Sequence, residues 1–187
     1  MPPTALTPAE LGTIAGPLFL GYLLNWGLFG VLSMQVYLYY LAFPNDRAGF
    51  KTVVYVAYLL ETTQTILFTT SSFRTFATGF GNPGILDEID IVWFSAPIMS
   101  GLVAFVAHSF YAYRITFFSK RKYLPGCVIL LACLCFSASI AVGVEMKGAG
   151  FFSHFLKKNS LVTVGIWQAG SAACDLLIAA SMTYYVC

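Results

Sequence analysis

Six polar side chains interrupt the otherwise apolar runs of this sequence: Asn25, Glu61, Gln64, His108, Gln168 and Asp175. Three of them ionise, and their types suit one another. An imidazole beside a carboxylate forms a hydrogen bond or an ion pair according to the proton on the imidazole, and histidine is the side chain whose charge ordinarily changes near neutral pH. In hydrocarbon a carboxylate costs roughly 2.5–3.5 kcal/mol even on permissive scales, so each must face protein or water and find a partner. At 1.5 Å per helical residue, Glu61 stands roughly 15 Å, His108 roughly 9 Å and Asp175 roughly 8 Å above the same membrane boundary. Helical spacing groups Tyr58, Glu61, Thr65 and Phe68 on one face; Pro97, Gly101, Ala104, His108 and Tyr111 on a second; and Gln168, Ser171 and Asp175 on a third. The expectation is a buried polar cluster of Glu61, His108 and Asp175, with Gln64, Gln168 and Asn25 near it. As a functional site it would be a ligand pocket, a proton relay or a conformational switch. As a structural one it is a hydrogen-bonded cluster that orders the helices.

Other chemistries find little support. Gly79-Phe80-Gly81-Asn82-Pro83-Gly84 matches the letters of a dinucleotide fingerprint but lies in a loop without the strand and helix that fingerprint needs. There is no GxSxG, HExxH or Walker lysine, and His108 and His154 alone supply a zinc site poorly. No enzyme activity, metal or cofactor is expected. The acids Asp87, Glu88 and Asp90 lack calcium-loop spacing and read as charges at the start of the following helix. Cys127, Cys133, Cys135, Cys174 and Cys187 form no CxxC pair and read as packing residues, with acylation of Cys187 the alternative.

The elements that must position these groups are five long apolar stretches. Hydrophobic residues make up 58% of the 187 and charged residues 10%, too few to clothe a water-soluble surface. The spacing predicts an all-α membrane protein forming one domain over residues 1–187, with spans near 12–43, 52–72, 89–118, 123–144 and 160–187. Continuous runs of this length exclude the alternating strands of a barrel. The first span is too long for a signal-peptide core and is expected to stay in place. Gly150 to Lys158 puts Phe151, Phe152, Phe155 and Leu156 on one face and predicts a short helix lying in the interface. The lipid bilayer is the principal partner. Gly12 and Gly16 form a GxxxG pair open to a homodimer, to another membrane protein or to internal packing. The net charge of +2 is dispersed, which argues against nucleic acid.

Sidedness follows from the basic residues. With the N-terminus outside, Arg47, Lys51, Arg114, Lys120, Arg121 and Lys122 lie inside and Arg74, Lys147, Lys157 and Lys158 outside. The leader before the first span carries no Lys or Arg, which favours the same orientation, with the C-terminus cytoplasmic in the plasma membrane or an endomembrane. Tyr37, Tyr39 and Tyr40 suit the inner aromatic belt and Trp93 the outer one.

Asn25-Trp26-Gly27, Gln35 to Tyr40, Phe43 to Arg47, Leu60-Glu61-Thr62 and Phe110 to Ile115 resemble a large family of multi-pass proteins from mushroom-forming basidiomycete fungi. The resemblance covers nearly the whole chain. It implies seven spans with an outer N-terminus, and a C-terminal domain of unknown function opening in a segment like Cys174 to Tyr185. On that pattern the chain is expected to be shortened within the domain. The layout implies a receptor-like sensor by analogy of fold alone. A transporter or channel component using the buried acids is the alternative, as is a truncated structural or inactive chain.

Overall fold

The computed structural model describes residues 8–80, 82–118, 123–157 and 160–186, and these are helical apart from short turns and one isolated antiparallel bridge between Glu88 and Phe151. Helix α1, Pro8–Ala42, ends where Pro44, which has no N–H to extend it, opens a turn braced by the Tyr39 hydroxyl donating to Asp46 at 2.7 Å. Helix α2, Ala48–Phe73, is rich in threonine, yet Thr52, Thr62, Thr63, Thr69 and Thr70 each donate to the carbonyl four residues back. Those hydroxyls satisfy themselves and need no water. A π-helical turn, Arg74–Thr78, runs to Gly79, where a Cβ would stand 2.8 Å from the Arg74 carbonyl oxygen and 2.7 Å from Ile85. The short α3, Pro83–Asp87, is capped by Asn82, whose side chain accepts from the Gly84 amide at 3.0 Å. A second π-helical segment, Phe94–Met99, contains Pro97 and leads into α4, Ser100–Phe118. Helix α5, Tyr123–Ala149, stops at Gly150, whose φ of +70° is the left-handed conformation that glycine adopts freely. The short α6, Phe152–Lys157, then precedes α7, Ser160–Val186.

Helices α4, α5 and α7 pack on one another; α2 lies against α4, and α1 lies outside against α2. Successive long helices run antiparallel, as the pairs Tyr22–Ser71 and Ser33–Tyr58 between α1 and α2 record. The tightest approach joins α4 to α5: a Cβ on Gly101 would fall 2.1 Å from Ser139 Oγ. One apolar cluster, Ile89, Val92, Val142, Met146 and Phe155, fills the end at which α5 finishes and α7 begins. A second, Ala112, Val128, Cys174 and Ile178, lies toward the opposite end.

Polarity is arranged inside out. Gln64, Thr65, Ser71, Ser95, His108 and Ser139 are buried, while Leu28, Leu59, Ile166 and Leu176 stand at 65–71% exposure. An apolar exterior of this extent suits lipid rather than water. Four segments are long and apolar enough to cross a membrane: Ala15–Ala42, Phe94–Thr116, Tyr123–Ala149 and Ser160–Tyr184. Helix α2 is as long but not among them, because Glu61, Gln64 and its threonines lower its hydropathy.

Three expectations are refined or changed. The helix predicted near Gly150 to Lys158 forms as α6, with Phe155 turned into the bundle, 6% exposed in the apolar cluster, and Phe151 exposed; Lys158 lies outside the described residues. The acids Glu88 and Asp90 do not cap the following helix. They grip Arg74 from across the loop, Glu88 at 3.1 Å, and the pair of carboxylates holds the Arg74 guanidinium above its ordinary range. Gly12 and Gly16 have nothing within 4 Å of where a Cβ would sit, so they make no close helix approach among the described residues.

Candidate functional site

The six polar residues of the spans do not gather into one cluster; four of them, Asn25, Gln64, His108 and Asp175, distribute over three interhelical contacts. Between α1 and α2, the Asn25 amide donates to Thr65 Oγ1 at 3.2 Å. Between α2 and α4, the Gln64 amide donates to Ser100 Oγ at 2.8 Å, leaving Gln64 Oε1 buried without a partner among the described residues. Between α4 and α7, His108 Nε2 meets Asp175 Oδ1 at 2.9 Å. Helix α4 stands between α2 and α7, so a residue on one of its sides does not reach the contact on the other.

Glu61 is the clearest departure from the expected cluster. It lies three residues before Gln64, which places it level with the first turns of α4, roughly 8 Å along the axis from His108. It is half-buried on α2, whereas His108 faces α7. Gln168 is exposed on α7. The buried stripe of α7 is Ser160, Cys174, Ile178 and Ser181, one residue out of phase with the expected Gln168–Ser171–Asp175 face. Asp175 therefore sits about 100° around the helix from the core and approaches His108 from the flank.

The His108–Asp175 pair is strongly asymmetric. The His108 side chain is 4% exposed and that of Asp175 is 70% exposed. His108 Nδ1 is buried without a hydrogen-bond partner among the described residues, so the ring has one engaged nitrogen and one idle one. With Nε2 as donor, a neutral ring leaves Nδ1 as an acceptor with nothing to accept; a charged ring makes both nitrogens donors and turns the contact into an ion pair. No other ion pair involves His108 among the described residues. The surroundings are apolar: Ala112 and Cys174, adjacent in the helices to the two partners, are wholly buried.

Residue types alone did not announce Ser100 or Ser71, whose hydroxyls accept from the Gln64 amide and the Tyr22 phenol of the neighbouring helix. A count of depths along antiparallel helices would have found them. Glu145, on α5, also holds a buried oxygen, Oε2, with no partner among the described residues. Cys127, Cys133, Cys135 and Cys174 are free thiols, and Cys135 and Cys174 pack in the interior. No family model matches the chain, and no curated protein or solved structure matches it either.

Proposed function

We propose that the chain is an integral membrane protein of the sensor type, in which His108 and Asp175 form a polar latch between α4 and α7. The observation that carries this reading is the 2.9 Å contact between a buried imidazole and a carboxylate that is otherwise exposed on an apolar helix. With the imidazole protonated, the pair is neutral overall and α7 is held to α4. With it neutral, Asp175 keeps its charge on a lipid-facing flank without compensation, an arrangement that costs several kcal/mol in hydrocarbon. The strength of the α4–α7 contact then depends on which of these two forms is present. Such a bistable contact is the element a receptor needs to convert a local chemical event into helix movement.

Five crossings support this reading better than four. Helix α1 finishes at the end where α2 starts, and α4 starts at the opposite end, so α2 must return the chain across the bundle. Its 26 residues span about 39 Å, more than a hydrocarbon core of about 30 Å. Arg47, Lys51 and Arg114 share one end, and an inward-facing basic end gives an outer N-terminus. A transporter would need polar groups linked across the bundle, whereas Asn25–Thr65, Gln64–Ser100 and His108–Asp175 are separate contacts, which favours the sensor.

Spin labels on the ends of α4 and α7 remote from α6 test the latch in lipid nanodiscs. The distance between them is expected to lengthen in His108→Gln and in Asp175→Leu relative to the unaltered bundle. Distances unchanged in both variants would exclude the latch.

A further inference from the structure

The pair at α7 occupies one side of α4; the other side opens, near its C-terminal end, onto an apolar cavity of about 460 Å³. Val53 and Phe50 of α2 face Val106 and Phe105 of α4 across it, and Arg47 stands at its mouth. A second cavity of about 420 Å³ lies alongside, with Arg114 in its wall. Phe50 and Phe110 line both cavities and form the partition between them as an edge-to-face pair with ring centroids 5.7 Å apart. Both volumes fall in the range of about 300–1,000 Å³ typical of small-molecule sites.

The charge at this mouth is one-sided. Among the described residues lining the two cavities, Arg47 and Arg114 stand against the single acid Asp46, and that acid is already engaged by the Tyr39 hydroxyl at 2.7 Å and by the Arg47 backbone N–H at 2.8 Å. Lys51 donates to the Pro44 carbonyl, and Arg114 lies over the Phe110 ring at 5.9 Å. The Arg47 guanidinium pairs with no carboxylate among the described residues. Depth completes the pattern. Arg47 sits just beyond the end of α1, at the polar boundary of the bundle, while Phe105 lies eight residues inward of Tyr113, roughly 12 Å deeper along α4.

We propose that this cleft holds an anionic phospholipid, with the headgroup phosphate at Arg47 and an acyl chain running inward between Val53 and Val106. An apolar trough with a cation at its polar rim complements the shape and the charge order of such a lipid, and it lies at the depth at which lipids present those groups. Arginine suits phosphate because its planar fork can donate two parallel hydrogen bonds. The inference rests on the bilayer reading but not on the His108–Asp175 latch.

The full chain is reconstituted in phosphatidylcholine nanodiscs doped with phosphatidylglycerol, and lipid retained through gentle detergent extraction is counted by native mass spectrometry. Resistance to alkaline carbonate extraction from membranes is measured first; failure there sinks the bilayer reading and the lipid site together. Once insertion is established, phosphatidylglycerol is expected to be retained over phosphatidylcholine by about five-fold for each engaged cation. Arg47→Gln, a change at an exposed side chain, should remove about that factor. Val106→Trp, which fills the trough and leaves every charge in place, should reduce retention of both lipids. Equal retention of the two lipids by the unaltered protein would overturn the proposal, as would a Val106→Trp protein that keeps phosphatidylglycerol undiminished. Displacement of the lipid by inorganic phosphate would also overturn it, by showing that the headgroup alone is recognised.

Discussion

The two ends of the bundle are built on opposite plans. At the end where α5 finishes and α7 starts, the connections fold inward and lock: the Ile89 amide donates to the Gly150 carbonyl at 2.9 Å, Phe155 drops into the apolar cluster, Arg74 is held by two carboxylates, and Lys147 lies 4.5 Å from the centre of the Trp93 ring. At the opposite end cavities open between α1, α2 and α4, and the exposed Arg47 pairs with no carboxylate among the described residues. The closed end spends its charges on itself. The open end leaves one cation available, which is the condition for a binding surface or a moving part. In a membrane bundle with little hydrophobic force between helices, packing detail and polar contacts decide where the structure is firm.

The contrast can be tested by matched substitutions. Phe155→Ala, which empties a buried site in the closed end, is expected to lower stability by about 3–5 kcal/mol, whereas Phe110→Ala at the half-exposed partition of the open end should cost clearly less; reversible unfolding in mixed micelles compares them. Equal losses would erase the distinction between the ends. Next in size is Gly101→Ala, since the new Cβ would meet Ser139 and force α4 from α5; a loss of about 1–3 kcal/mol is expected for such overpacking. Gly126→Ala, with open space around it in the first turns of α5, should be close to neutral in the same assay. Lys147→Gln should cost about 0.5–1 kcal/mol through loss of the cation–π contact, read out also as a shift of Trp93 fluorescence in a background with the other tryptophans replaced by phenylalanine.

Among the charge contacts, the smallest effect is expected from Arg74. A base held above its ordinary value contributes stability that is fully present at neutral pH and is lost only as pH climbs past the raised value. Titration between about pH 6 and 9 should therefore leave the Arg74 contribution untouched, while added salt weakens it because all three groups are substantially exposed. A stability step across that pH range that disappears in Arg74→Gln would contradict this account.

Much of the architecture was legible in the chain because hydropathy and turn residues are local signals. The apolar stretches became α1, α2, α4, α5 and α7, and Pro44 marked the first turn. The depth count brought His108 level with Asp175, and the two do meet. What the count lacked was rotation. Depth places a residue on a ring around the helix, and only packing picks the direction, so Glu61 and His108 could share an expected layer and still face different neighbours. The acids before Trp93 misled for a related reason: a carboxylate near a helix start is favourable in general, but Arg74 lay closer in space than in sequence.

The π-helical segment at Phe94–Met99 bears on this question of direction. Each residue added to or removed from a helix turns everything beyond it by about 100°. A widened turn upstream therefore sets the phase of the whole of α4, including His108 some ten residues on. Winding the same residues as a regular α-helix would turn His108 by about 100° away from α7, whereas deleting the one extra residue would close the wide turn and keep the imidazole near its present direction. The contact between His108 and Asp175 is thus phased by a backbone irregularity that touches neither of its members.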